Sequence, residues 1–127
     1  MPRFVIQHHV YDDGDEHWDL MFEVGPALRT WSLPKPPDQP EHLPMCVRQL
    51  ADHRIEYLEY EGEVSDNRGR VAIHDRGSYQ WGDEVEAPID TLNELTVLVE
   101  GERLSGRFHL VRTPHEGKDL WRMKRLG

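Results

Sequence analysis

The sequence predicts an all-β fold, a small closed or nearly closed β-barrel with one or two short helical turns. Three observations predict it. Most segments alternate apolar and polar residues at period two, as half-buried strands do. Ten glycines and nine prolines punctuate the 127 residues, dividing them into short runs. Only one stretch, ADHRIEYLEYEG at 51–62, breaks the alternation in favour of a short helix or helical turn. Many short strands separated by turn signals are the pattern of a barrel or sandwich.

The elements follow in order. RFVIQHHV (3–10) and EHWDLMFEV (16–24) read as antiparallel strands joined by the loop YDDGD, whose glycine supplies a positive φ. RTWSL (29–33) alternates again and runs into the proline-rich break LPKPPDQP (33–40), a loop inside one domain. In the segment 51–62, Asp52 is placed to cap a turn that Gly62 ends. GRVAIHD (69–75) reads as a further strand, and EAPID (86–90) as a second loop. LTVLVEG (95–101) and GRFHLVR (106–112) form a hairpin turning at EGER. No repeat divides the chain, which reads as a single domain over 1–127. Trp18, Trp31 and Trp121 are expected to fill the barrel, Cys46 to be a small core residue, and Trp81 to be exposed.

Composition bounds the function. Hydrophobic residues make up 37% of the chain and charged residues 31%, enough for one modest core. The net charge of −9 argues against indiscriminate nucleic-acid binding, which depends on neutralising phosphates, but leaves room for a local basic groove. The N-terminal MPRFVIQHH lacks the apolar stretch of a secretion signal, and no run is long enough for a membrane helix. With a single cysteine and no internal disulfide, the expected compartment is a reducing cytoplasm.

The first hairpin carries the chemistry. Side chains alternate across a strand, so Phe4, Ile6 and Val10 share a face with Trp18, Leu20, Phe22 and Val24. The other face collects Gln7, His9, His17, Asp19, Met21 and Glu23. A symmetric loop sets residue 9 opposite 17 and 7 opposite 19, with Cβ atoms about 4.5–5.5 Å apart. His9, His17 and Asp19 then converge. Two imidazoles and a carboxylate form a divalent-metal set with open positions for water or substrate. A polar outer strand face collects such residues without a metal too, and spacing alone does not separate the two readings. His8 falls on the core face at the strand end and reads as a packed or hydrogen-bonded histidine.

Beyond the hairpin, FVIQHH, EHWDLMFE, WSLPKPP, LADHRIEYLEYEG, LSGRFHLVRT and LWRMKR occur in the order of the motifs of a known family. The chain resembles the 3′-phosphoesterase domain of bacterial DNA ligase D over nearly its whole length. That resemblance implies a small β-barrel with its site on a concave outer face. It also implies a Mn²⁺-dependent activity, with Zn²⁺ or Co²⁺ as alternative ions, removing 3′-phosphates or 3′-ribonucleotides from DNA ends in break repair. The metal ligands it implies are His9, His17 and Asp19. It further implies Gln7, Lys35 and His53 as phosphate-binding residues, with His53, Tyr57 and Lys35 in catalytic roles. Spacing sets His53 and Tyr57 on the same side of one helical turn. Each has a plainer reading: Lys35 as an exposed loop lysine, Tyr57 as a half-buried core tyrosine, His53 as a cap. The implied partners are 3′ ends of DNA or a primer–template, and a repair polymerase or ligase, with no membrane and a monomeric state.

The chain departs from the family pattern where phosphate would be held. Arginines of that pattern fall on Met21 and Met45, an acidic residue falls on Ala51, and a glycine-rich loop is reduced to VSDNRGR. Methionine offers no donor to a phosphate oxygen, whereas guanidinium binds it bidentately. Arg48, Arg54, Arg68 and Arg70 are the nearby candidates to substitute. The alternative to an active phosphoesterase is a non-catalytic or substrate-shifted relative that binds metal and nucleic-acid ends or a repair partner. His74 and Asp75 alternate onto opposite faces and read as structural.

Overall fold

A computed structural model of the chain describes residues 2–66, 68–82 and 93–127. Its nine strands are β1 (Arg3–Val10), β2 (Glu16–Val24), β3 (Ala27–Leu33), β4 (Met45–Arg54), β5 (Gly62–Glu63), β6 (Arg70–Trp81), β7 (Glu94–Gly101), β8 (Ser105–Arg112) and β9 (Leu120–Arg125). All neighbours pair antiparallel in the order β1-β2-β3-β4-β9-β8-β7-β6, and β6 pairs back onto β1. The result is a closed eight-stranded barrel, with the short β5 hung on the edge of β6. Closure leaves no ring strand with an unpaired edge along its length. The expected loop at 86–90 lies outside the described residues.

Inside the barrel, Phe4, Ile6, Leu20, Phe22, Trp31, Tyr79, Phe108 and Trp121 form one apolar cluster. Trp31 meets Trp121 edge-to-face at 5.6 Å between centroids, and Phe22 meets Tyr79 at 4.9 Å, the geometry that ring quadrupoles favour. The expected placement of Trp18, Trp31 and Trp121 in the core holds. Trp81 is half-buried against that core rather than exposed. Cys46 is exposed, not a core residue. It alternates with Met45 and Val47, which both turn inward, so it must face out.

A second, smaller apolar cluster lies on the outside of the barrel. Val5, Met21 and Leu28 are fully buried there beneath Leu58, with Ile55, Tyr57 and Ile73 packed around them. The lid is a 3₁₀ turn over Ile55–Leu58 laid across the outer face of β1, β2 and β3. β4 runs straight on to Arg54, so the helical stretch expected over 51–62 shrinks to this single turn. Arg54, not Asp52, occupies its N-cap position, and no side chain caps it. Asp52 instead bonds Arg29 at 3.2 Å.

Two bulges decide which residues face the lid. Opposite Leu28 and Thr30 on β3, β4 carries Leu50 and His53, one extra residue. Val47 therefore points into the barrel while His53, six positions later, points out. On β6 the extra residue is His74, between partners of Ile6 and Gln7. Ile73 thus joins the outer cluster and Tyr79 the inner one, although both are odd-numbered. Bulges re-aim side chains in this way. The buried Asp75 beside the bulge accepts backbone N–H bonds from Arg76, Glu102, Arg103 and Leu104, and so fixes the β7–β8 turn. His74 bonds Asp38 at 2.7 Å, tying down the proline-rich loop. Both side chains are thus engaged in contacts that hold loops and turns, although the bulge at His74 breaks the simple alternation.

Candidate metal centre

The β1–β2 register pairs His9 with His17 and Gln7 with Asp19, the pairing that parity required. The ligating atoms of His9, His17 and Asp19 lie within 4.8 Å of one another. Bonds of about 2.0–2.2 Å to a common tetrahedral ion set ligand atoms about 3.3–3.6 Å apart, so a side-chain contraction of roughly 1 Å closes the set. His17 Nε2 stands 2.9 Å from Asp19 Oδ1. The contact lacks hydrogen-bond directionality, however, and Oδ1 is left buried with no donor. An uncompensated buried carboxylate oxygen is costly, and a cation between these groups removes that cost. The donor set fits a divalent ion.

The surroundings fix the ligands. His9 Nε2 lies 2.5 Å from the Arg68 carbonyl. A carbonyl only accepts, so Nε2 carries the proton and Nδ1 keeps the lone pair, the usual second contact of a metal-bound histidine. The Arg68 carbonyl reaches His9 because Gly69 has φ +89° and lies against the end of β1. A Cβ on Gly69 would come within 1.9 Å of the Val10 carbonyl oxygen. Tyr11 stacks on His9 at 4.3 Å and tilts against His17 at 5.5 Å. Burial, reinforced by the Asp19 carboxylate, pushes its phenol above the ordinary value. Tyr11 continues the 7, 9, 11 parity, which would have found it had the strand been extended into the loop.

A cleft of about 250 Å³ joins this set to the lid, lined among others by Gln7, His9, Asp19, Asp52, His53, Arg54, Tyr57 and Arg68. His53 and Tyr57 do meet, with ring centroids 5.8 Å apart. The β4 bulge and the 3₁₀ turn bring them together, not the single helical turn expected from their spacing. His53 Nδ1 lies 3.1 Å from the Ala51 carbonyl, and among the described residues Nε2 has no hydrogen-bond partner. Gln7 is fully buried, and its amide nitrogen donates to the carbonyls of Tyr57 at 2.8 Å and Tyr60 at 2.9 Å. It therefore anchors the lid, with both amide hydrogens already used. Lys35 lies exposed in the bend after β3 and does not line the cleft. His8 stacks on Trp18 at 4.6 Å and bonds Glu16, as a packed histidine should.

With this geometry in hand, comparison with known proteins is direct. The family model of the DNA ligase D 3′-phosphoesterase domain matches residues 7–112. The chain belongs to that family. It is 31% identical over 119 residues to the multifunctional non-homologous end joining protein LigD of Pseudomonas aeruginosa, covering 91% of this chain and 14% of that protein. The Mycobacterium tuberculosis H37Rv protein, named a multifunctional non-homologous end joining DNA repair protein LigD, is 33% identical over 130 residues, or 97% of this chain and 16% of its own length. The Mycolicibacterium smegmatis LigD is 30% identical, covering 96% of this chain and 17% of that protein. The chain thus spans a small part of the length of these relatives. The family barrel is bordered here by Met21 and Met45, both buried: Met21 in the outer cluster, Met45 in the inner one. Neither position opens to the cleft. Among the described residues, no helix is long and apolar enough to cross a membrane.

Proposed function

We propose that this protein is a divalent-metal-dependent phosphoesterase that trims 3′-phosphate or 3′-ribonucleotide ends of DNA during end joining, with Mn²⁺ as the ion. The observation that carries the reading is the convergence of His9, His17 and Asp19, with the orphaned buried Oδ1 of Asp19, beside a cleft that His9 and Asp19 line together with His53 and Tyr57. The ion, when bound, supplies a Lewis acid for a phosphoryl oxygen. As an imidazolium, His53 donates from Nδ1 to the Ala51 carbonyl and from Nε2 to a phosphate oxygen or to the leaving alcohol oxygen. Tyr57, packed against that ring, limits its tilt. Lys35 would reach a substrate from the rim, where it meets the strand leading away. A repair polymerase or ligase is the partner that uses the 3′-OH so produced, in a cytoplasmic setting.

The test is incubation of the protein with Mn²⁺ and a primer–template ending in 3′-phosphate, beside His9→Ala. Release of phosphate by the wild type alone is expected. Stoichiometric Mn²⁺ binding without product would refute the catalytic reading. The buried Met21 favours a second reading, a substrate-shifted relative. Turnover of a small phosphate ester with the oligonucleotide untouched would select it.

A further inference from the structure

The cleft has a metal set but lacks the guanidinium that the family pattern places at position 21, and the structure shows why it cannot come from there. Met21 is fully buried among Val5, Leu28 and Leu58, so its position opens onto hydrocarbon and not onto the cleft. Met45 faces the barrel interior. Arg29, on the neighbouring strand, is engaged with Asp52 at 3.2 Å. Arg48 lies on the outer face opposite Ser32, which itself pairs with Asp19, but it does not line the cleft.

Two arginines do line it, Arg54 and Arg68. Arg68 donates from Nε to the Ser65 carbonyl and from Nη2 to the Ser65 hydroxyl, and its own carbonyl holds His9. Moving its guanidinium would loosen a metal ligand. Arg54 is exposed, and its guanidinium has no hydrogen bond or ion pair with the described residues. It follows His53 directly, at the mouth of the lid turn. Position 21 supplies no guanidinium to the cleft, and Arg54 supplies one at its rim.

Arg54 also lies on the ridge between two spaces. On one side is the metal cleft, of about 250 Å³, room for a hydrated ion and a phosphoryl group. On the other is a groove of about 360 Å³ lined by Glu56, Tyr57, Tyr60, Glu63 and Ser65. A divalent ion would offset Asp19 and Asp52 in the cleft, whereas Glu56 and Glu63 in the groove have no such counter-charge, so an anion is favoured on the metal side and the groove is left to the uncharged part of an ester.

We propose that Arg54 is the phosphate-binding cation of this cleft, standing in from the rim for the arginine missing at position 21. This rests on the phosphoesterase reading above. The probe is inorganic phosphate titrated calorimetrically into the Mn²⁺-loaded protein. Arg54→Ala weakens phosphate binding about 10- to 100-fold, the effect of removing charge-assisted hydrogen bonds, and raises KM more than it lowers kcat. Arg54→Lys recovers part of the affinity. Arg48→Ala, an equal loss of charge outside the cleft, leaves it unchanged, and Mn²⁺ affinity stays constant throughout. Equal phosphate affinity in wild type and Arg54→Ala, or no phosphate binding by the wild type, overturns the assignment. A protein that binds Mn²⁺ and phosphate through Arg54 yet hydrolyses no ester would refute the enzymatic reading and leave this one standing.

Discussion

Replacing Gln7 by leucine separates two roles for that residue: a phosphate contact, or an internal anchor of the lid. The structure makes it an anchor, since its amide nitrogen donates to the Tyr57 and Tyr60 carbonyls at 2.8 and 2.9 Å. Each hydrogen bond is worth about 0.5–1.5 kcal/mol net, and each buried carbonyl left without a donor costs about 1–3 kcal/mol. Both bonds are part-buried, so water recovers some of that cost, and the expected loss is about 2–4 kcal/mol. For a domain of this size that lowers Tm by roughly 6–15 °C. Gln7→Glu should be worse at neutral pH than at pH 4, because a carboxylate would face two carbonyl oxygens. The assay is urea denaturation of the metal-free protein, read by tryptophan fluorescence, alongside kcat and KM. The anchor role predicts a lower midpoint and a lower kcat, because Tyr57 and His53 lose their support. A midpoint within about 0.5 kcal/mol of wild type, with only KM raised, would refute this reasoning and restore the phosphate contact.

Other consequences follow from the same contacts. Asp19→Asn keeps the shape of the carboxylate but removes its charge. It should weaken Mn²⁺ binding by at least about 100-fold, while the melting temperature in EDTA holds or rises because a buried carboxylate oxygen without a hydrogen-bond donor has gone; a fall in EDTA would contradict the orphaned Oδ1. Gly69→Ala places a Cβ against the Val10 carbonyl at φ +89°. It should cost more than about 2 kcal/mol and loosen Mn²⁺ by moving the Arg68 carbonyl off His9, which denaturation and metal titration would each detect. Burial, followed by the charge of Glu23, pushes the Tyr79 phenol from 10.0 up to about 12. The folded state holds that proton more tightly than the unfolded state. The associated stability is therefore complete below pH 10, falls by up to about 1.4 kcal/mol per pH unit above it, and is lost past pH 12. Tyr79→Phe should flatten that slope in unfolding curves taken from pH 9 to 12.

Much of the site was legible because its first part is local. His9, His17 and Asp19 belong to one hairpin, and alternation with a loop of fixed parity places them together without any long-range information. The lid was less legible. The motif ADHRIEYLEYEG suggested a short helix or helical turn, and a turn forms over Ile55–Leu58, but it starts late because β4 continues through Arg54, and Ile55 and Leu58 are drawn down onto Val5, Met21 and Leu28. Burial against a neighbouring sheet overrode local propensity. Cys46 was misplaced because its neighbours Met45 and Val47, not its own polarity, decide which way it faces.

The sequence by itself determined the strand-rich architecture, the apolar barrel face and the convergence of His9, His17 and Asp19, since each depends on a period-two pattern within one or two adjacent strands. The tertiary structure decided what faces that trio. His53 turns outward only because β4 carries an extra residue opposite Leu28 and Thr30, and Ile73 only because β6 bulges at His74. The Arg68 carbonyl and the Gln7 anchor cross 59 and 50 residues of chain. A single inserted residue inverts every side chain after it, and whether a strand absorbs one depends on partners that only the closed barrel supplies.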